Sequence, residues 1–263
     1  SLAALLGVAA AFGGLTFRRN LDYRTNVILW QDTVAKQPAN AVAHCNLGAA
    51  LSAAGRKSEA FAEFQATLRL DPENPEANIN IGEALTEAGQ PAAALSHLFT
   101  ALRVAPDIAE VYLNLGTALD HAGRMGEAIP YYEHALRLKP ELAEAHNDLG
   151  SVLLRLGQPA AALAQIGEAL RLKPDYAEAH YNLAAVLAKS GRMPEAETEF
   201  ETGRRLKPDD AVARHGWGNA LTQAGRPGEG FAEFEASLKL QPDDPVTHYD
   251  YGAALAATGQ IGR

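Results

Sequence analysis

The chain has 263 residues and a formal net charge of −9, with 32 Asp and Glu against 23 Lys and Arg. That balance argues against a nucleic-acid partner, whose phosphates need clustered cations. The single cysteine, Cys45, excludes an internal disulfide framework. Aromatic residues make up 7% of the chain, and no β-branched run suggests a strand.

Residues 1–17, SLAALLGVAAAFGGLTF, carry no charge, and Arg18 and Arg19 follow directly. As a helix the run would span about 25 Å, slightly short of the ~30 Å hydrocarbon core. It lacks the basic start and the small-residue cleavage site of a secretory signal. The expectation is the end of a transmembrane helix, cut by a fragment boundary at Ser1, with a membrane-anchored array behind it. The alternative is a buried or disordered alanine-rich cap, with a cytoplasmic location as the alternative to membrane anchoring. Residues 18–40 read as an N-terminal capping half-repeat: 24–36 are spaced as a second helix, Trp30 fills a large apolar slot, and Asn26 stands where later units carry alanine.

From there the chain repeats itself. Pro38, Pro72, Pro106, Pro140, Pro174, Pro208 and Pro242 are each separated by 34 residues, and Gly55, Gly89, Gly123, Gly157, Gly191, Gly225 and Gly259 keep the same step. A third series runs Gly48, Gly82, Gly116, Gly150, Ala184, Gly218 and Gly252. A fixed period of this length is the mark of a helix–turn–helix array. The units are 41–74, 75–108, 109–142, 143–176, 177–210 and 211–244, with a partial seventh at 245–263.

Within a unit each residue type has a physical task. Leu149, Leu153 and their equivalents recur at helical spacing and give the first helix an apolar stripe. Gly150 and its equivalents cost helix propensity, about 1 kcal/mol against alanine, so their recurrence predicts close helix–helix approach. Gly157 and its equivalents end the first helix. Pro91, Pro159 and Pro227 open the second, and Glu59, Glu127, Glu195 and Glu229 place charge at its positive end. Pro130 lies deeper and is tolerated if that helix starts near Gly126. Lys139, Lys173 and Lys207 are expected beside the last carbonyls. Gly216-Trp217-Gly218 breaks the pattern, and the glycines are expected to make room for a buried Trp217.

These residues resemble the tetratricopeptide repeat, with a small residue at the eighth position, Ala at the twentieth, a large apolar residue at the twenty-fourth and Pro at the thirty-second. His44, His146, His180 and His248 depart from it by replacing the usual Trp. AEAHNDLG and AEAHYNLA are similar to the repeats of the O-linked N-acetylglucosamine transferase type. The resemblance implies an all-α fold, a right-handed superhelical solenoid whose first helices line a concave groove. The junction FRRNLDYRTNVILWQDTVAKQPANAVAHCNLG resembles bacterial membrane proteins related to O-mannosyltransferases that carry repeat tails.

No nucleophile–base pair, phosphate loop or paired-cysteine motif appears, so no enzyme, cofactor or metal is expected in this chain. The histidines at the fourth position stand one unit apart, too far for the ~2.0–2.3 Å convergence zinc needs, and packing is the expected role. In the family the sixth residue of each unit faces the groove: Asn46, Asn80, Asn114, Asp148, Asn182, Gly216 and Asp250 here. A carboxamide can bond a backbone C=O and N–H together, so this ladder suits an extended peptide. Glu76, Glu83, Glu87, Glu110, Asp120, Glu144 and Glu178, against Arg155 and Lys189, make the groove acidic and favour neutral or basic segments. The fifth position offers Cys45, Ile79, Leu113, Asn147, Tyr181, His215 and Tyr249; without a lysine, a clamp for a C-terminal carboxylate is not expected. The peptide-binding candidates are therefore Asn46, Asn80, Glu83, Asn114, Asp120, Asp148, Tyr181, Asn182 and Asp250. The expected function is a scaffold for protein–protein interaction; the alternative is the accessory region of a membrane glycosyltransferase.

Overall fold

The computed structural model describes residues 26–259, and these are helices joined by short turns, with no strand among them. The membrane reading of 1–17 lies outside the described residues, as does the start of the 18–40 half-repeat. No described helix is long and apolar enough to cross a membrane. The chain forms two compact units divided between Tyr131 and Tyr132.

The first unit holds α1 (26–36), α2 (Ala41–Ala53), α3 (Lys57–Leu70), α4 (Pro75–Glu87), α5 (Pro91–Val104), α6 (Ala109–His121) and the start of α7 (Met125–Leu138). The second holds the rest of α7, α8 (Ala143–Arg155), α9 (Pro159–Leu172), α10 (Ala177–Lys189), α11 (Met193–Leu206), α12 (Ala211–Gln223), α13 (Pro227–Leu240) and α14 (Pro245–Ala257). Helices begin and end within a residue or two of where the prolines and glycines predict. Pro130 is the sixth residue of α7, where the missing N–H would have bonded back to the helix's first turn.

Gly157 shows how each turn is made. Its φ of 77° is left-handed, and its N–H bonds the Leu154 carbonyl at 3.0 Å while the Gln158 N–H bonds Leu153 at 2.9 Å. The two bonds satisfy carbonyls that the end of α8 leaves open. The next helix, α9, begins at once with Pro159, so the two helices must run antiparallel. Asn40, Asn74, Asp210 and Asp244 cap the first helices that follow them by accepting an N–H of the first turn.

Close approach explains the eighth-position glycines. A Cβ on Gly150 would stand 2.5 Å from Ile166 Cγ1, and one on Gly82 2.5 Å from Leu98 Cγ. Gly48 lies under Phe64 and Gly218 under Phe234 in the same way. Trp217 is buried and stacks on Phe200, with centroids 4.8 Å apart. Gly218 accommodates Phe234, while a Cβ on Gly216 would meet nothing within 4 Å apart from its own chain neighbours.

The fourth-position histidines bond as well as pack. In the first unit His44 sets Nε2 3.1 Å from the Pro38 carbonyl and Nδ1 2.6 Å from Glu63. Asn78 plays the same part, donating to the Pro72 carbonyl at 3.1 Å and accepting from His97 Nδ1 at 2.9 Å. In the second unit His146 joins the Pro140 carbonyl to Gln165, and His180 joins Pro174 to Glu199. Each such side chain satisfies a carbonyl in the preceding turn and ties both helices of its own repeat together. No group of three or more described His, Cys, Asp and Glu residues is placed to hold a metal ion. Cys45 is buried and makes a long thiol contact to Asn74 at 3.7 Å; burial pushes its thiol up to about 12.

The acidic residues near second-helix starts have a further partner. Glu59 and Glu127 each take a two-pronged bond from Arg56 and Arg124, and Glu195 and Glu229 do the same with Arg192 and Arg226. These arginines hold the four carboxyls below the usual carboxylate range. Lys173 and Lys207 reach Glu144 and Glu178 at 3.3 and 2.7 Å, instead of serving only the helix ends.

Candidate functional site

The sixth-position residues lie on the first helices α2, α4, α6, α8, α10, α12 and α14, all half-buried apart from the exposed Gly216. Their spacing places one on each first helix, but their bonding differs between units.

In the first unit Asn80 donates to its own helix at the Glu76 carbonyl, 2.8 Å away, which leaves its amide oxygen available. Asn46 and Asn114 make no side-chain hydrogen bond to other described residues. Asn80, Glu83 and Glu87 line a small cavity with Ser52, Lys57 and Phe64, and Lys57 meets Glu87 at 2.6 Å. Burial, then the neighbouring Glu87, raise the Glu83 carboxyl above its ordinary value, although Lys57 opposes this. The Glu83 residue as a whole is exposed, so solvent limits that desolvation. Asp120 is half-buried and engaged within the chain.

In the second unit Asp148, Asn182 and Asp250 are bound by other polar side chains of the unit. Asn182 donates to Asn147 at 2.9 Å, and Asn147 donates to Asp148 at 3.2 Å. Asp250 takes bonds from His215 and Asn219, both at 2.8 Å. The Asn219 amide, then the His215 ring, hold the Asp250 carboxyl below its usual range. Tyr181 donates to the Lys207 carbonyl at 2.8 Å, and its hydroxyl is pushed up to about 12, chiefly by burial. The acids here are also neutralised, since Glu144 and Glu178 have their lysines.

Sequence position thus identified the slots, and the structure divides them into open and occupied groups. Asn147, His215 and Asn219 were not among the candidates. Asn147 and His215 sit at the fifth position beside named residues, where a polar side chain in place of Ile79 or Leu113 was the available signal.

An array of stacked helix pairs of fixed length, each presenting its first helix with a regular set of polar side chains, defines a helical-repeat solenoid. Two family models described as tetratricopeptide repeat match the chain, one at residues 14–75 and 147–211 and the other at 75–141 and 107–175. The chain belongs to the tetratricopeptide repeat family. No curated protein matches it in sequence.

Among solved structures it is similar to a chain of the APC/C hetero-tetramer Cut9–Hcn1, with 22% identity and a TM-score of 0.76. That match covers 90% of this chain and 47% of the other, so the present chain spans about half of its length. It is similar to YrrB, described as a TPR protein with an unusual peptide-binding site, at 23% identity and a TM-score of 0.52 over 71% of this chain and 96% of YrrB. TTC0263, a thermophilic TPR protein of Thermus thermophilus, matches at 26% identity and 0.58 over 69% of this chain and 99% of that one. At these identities the likeness concerns the fold.

Proposed function

We propose that the chain is a protein–protein interaction scaffold whose first helices hold an extended peptide segment, chiefly through the first unit. The observation that carries this reading is the open state of Asn46, Asn80 and Asn114, whose carboxamides keep hydrogen-bonding capacity that their second-unit counterparts spend internally. Such groups bond a peptide backbone without reading its side chains, so breadth of recognition follows. Glu76 and Glu83 beside them favour neutral or basic segments over acidic ones. The fold is compatible with this use: YrrB, similar in fold, is described as having a peptide-binding site, and the Cut9–Hcn1 chain belongs to a hetero-tetramer.

The test replaces Asn46, Asn80 and Asn114 with alanine and titrates both proteins with a library of extended peptides. Binding is expected to weaken by about 0.5–1.5 kcal/mol per lost hydrogen bond, while Asn182→Ala leaves it unchanged. Equal affinities for wild type and the triple variant would refute the reading. The accessory-glycosyltransferase reading and an anchor at residues 1–17 draw no support from the described residues; removing residues 1–17 and asking whether the protein still depends on detergent tests the anchor.

A further inference from the structure

The face between the second helices carries a feature that the peptide ladder does not use. In the first unit α3 and α5 flank a groove of about 480 Å³ floored by α4. Its apolar lining is Phe61, Leu68, Ile81 and Leu85, and its polar rim includes Arg69 and His97. That volume lies in the ~300–1,000 Å³ range of ligand pockets.

Arg69 is the unusual member. It occupies the twenty-ninth position, where the next four units carry Arg103, Arg137, Arg171 and Arg205. Each of those is held. Arg103 bonds Glu73 at the thirty-third position of the unit before it, at 2.8 Å. Arg137, Arg171 and Arg205 bond His134, Glu168 and Thr202, three residues earlier. At Arg69 both kinds of partner are missing from the sequence, because Ala66 stands three residues earlier and Ala39 at the preceding thirty-third position. Among the described arginines, Arg69 is the one with neither an ion pair nor a hydrogen bond to another described residue.

The neighbouring groove supplies an internal control. Between α1 and α3 a groove of about 410 Å³ is lined by Val34, Leu47 and Leu51, with Glu59 and Glu63 at its rim. Those carboxylates are already committed to Arg56 and His44. The two grooves are alike in construction, and only the one at Arg69 offers an uncommitted charge. It also offers an acceptor. The Asn78 amide nitrogen donates to the carbonyls of Pro72 and Asn74, so its oxygen takes the His97 Nδ1 proton and Nε2 is left to accept.

We infer that the α3–α5 groove is a second docking site, for an amphipathic segment of a partner protein that presents a bulky apolar side chain followed by a carboxylate. The apolar group fills the space over Ile81 and Leu85, and the carboxylate takes the two-pronged bond that Arg69 lacks a partner for. With a net charge of −9 the chain does not attract an acidic segment at long range, so recognition depends on contact. The site is independent of the asparagine ladder and does not rest on it.

The experiment uses the full chain and a fluorescein-labelled peptide, Gly-Ser-Leu-Phe-Glu-Glu-Gly-Ser, with a Gln-Gln counterpart, read by anisotropy. The acidic peptide is expected to bind at least about fivefold more tightly, and Arg69→Gln is expected to erase the difference. Alanine at Asn46, Asn80 and Asn114 together is expected to leave it intact, which separates this site from the ladder. Hydrogen exchange is expected to slow in α3 and α5 on addition of the acidic peptide. Arg69 is exposed and bonds no other described residue, so its replacement does not threaten the fold, and circular dichroism checks this. The inference is overturned if neither peptide binds, if both bind alike, if Arg69→Gln keeps the preference, or if the ladder variant abolishes it.

Discussion

The two units share one repeat and use its first helices differently. In the first unit the sixth-position side chains are Asn46, Asn80 and Asn114, beside Cys45, Ile79 and Leu113 at the fifth position, and among the described residues none of them bonds a neighbouring repeat. In the second unit the fifth position holds Asn147, Tyr181, His215 and Tyr249, and Asn147 and His215 bind Asn182 and Asp250 across adjacent repeats at 2.9 and 2.8 Å. One polar substitution in a repeat thus converts a potential contact into an internal stitch. The repeat can carry either because its helix pairs are held by apolar packing, which leaves the outer helix face free to vary.

The largest expected effect tests whether that packing is indeed common to both units. Gly82→Leu in the first and Gly150→Leu in the second each force a side chain into a space already 2.5 Å from its neighbour. Both should destabilise by about 1–3 kcal/mol through overpacking, measured by chemical denaturation. A large inequality between them would break the comparison, since the units would then differ in more than their polar faces.

Next in size is the stitch itself. Asp250→Ala leaves His215 and Asn219 without their shared acceptor and should cost about 1 kcal/mol, appearing as faster hydrogen exchange in α14. Asn114→Ala, at the same repeat position in the first unit, should be within about 0.5 kcal/mol of wild type. Similar losses at the two positions would show that Asn114 is also bound within the fold.

A pH effect belongs to the first unit. Burial holds the His97 imidazole below its ordinary range, so the unfolded chain binds the proton more readily. The stability this neutral ring contributes is present above the ordinary value of about 6.5 and is lost as pH falls toward the lowered folded value. His97→Gln should therefore reduce the drop in stability between about pH 7.5 and 5.5, with the other histidines cancelling in the difference. An unchanged drop would mean that His97 is not desolvated in solution.

The smallest effect is at Glu83. Its raised carboxyl means that the charged form is disfavoured in the fold, so its contribution falls as pH rises above the ordinary carboxylate value. Glu83→Gln should be slightly stabilising at neutral pH and indifferent near about pH 4, checked by denaturation at both. Because the residue is exposed, solvent screening keeps the gain small.

How much of this was legible follows from where each interaction lies in the chain. The arginine three residues before each of Glu59, Glu127, Glu195 and Glu229 is a local pair, and sequence spacing alone could have supplied it, although only the dipole role of the glutamate was read. The histidine tie was half legible: the fourth-position histidines stood out as replacements, but Glu63, Gln165 and Glu199 sit 19 residues further on. The Asn147–Asn182 bond spans 35 residues, and no local rule of helix or turn chemistry connects its ends.

The sequence by itself determined the repeat, its phase, the ends of its helices and the glycines on which the pairs close. Those are set by backbone conformation and by contacts within a single repeat, both of which recur every 34 residues. The tertiary structure decided which of the equivalent polar side chains remain open and which are bound. Hydrogen bonds between neighbouring repeats depend on the pair of side chains that stacking brings together, so one slot can hold a free asparagine in one unit and a committed one in the next.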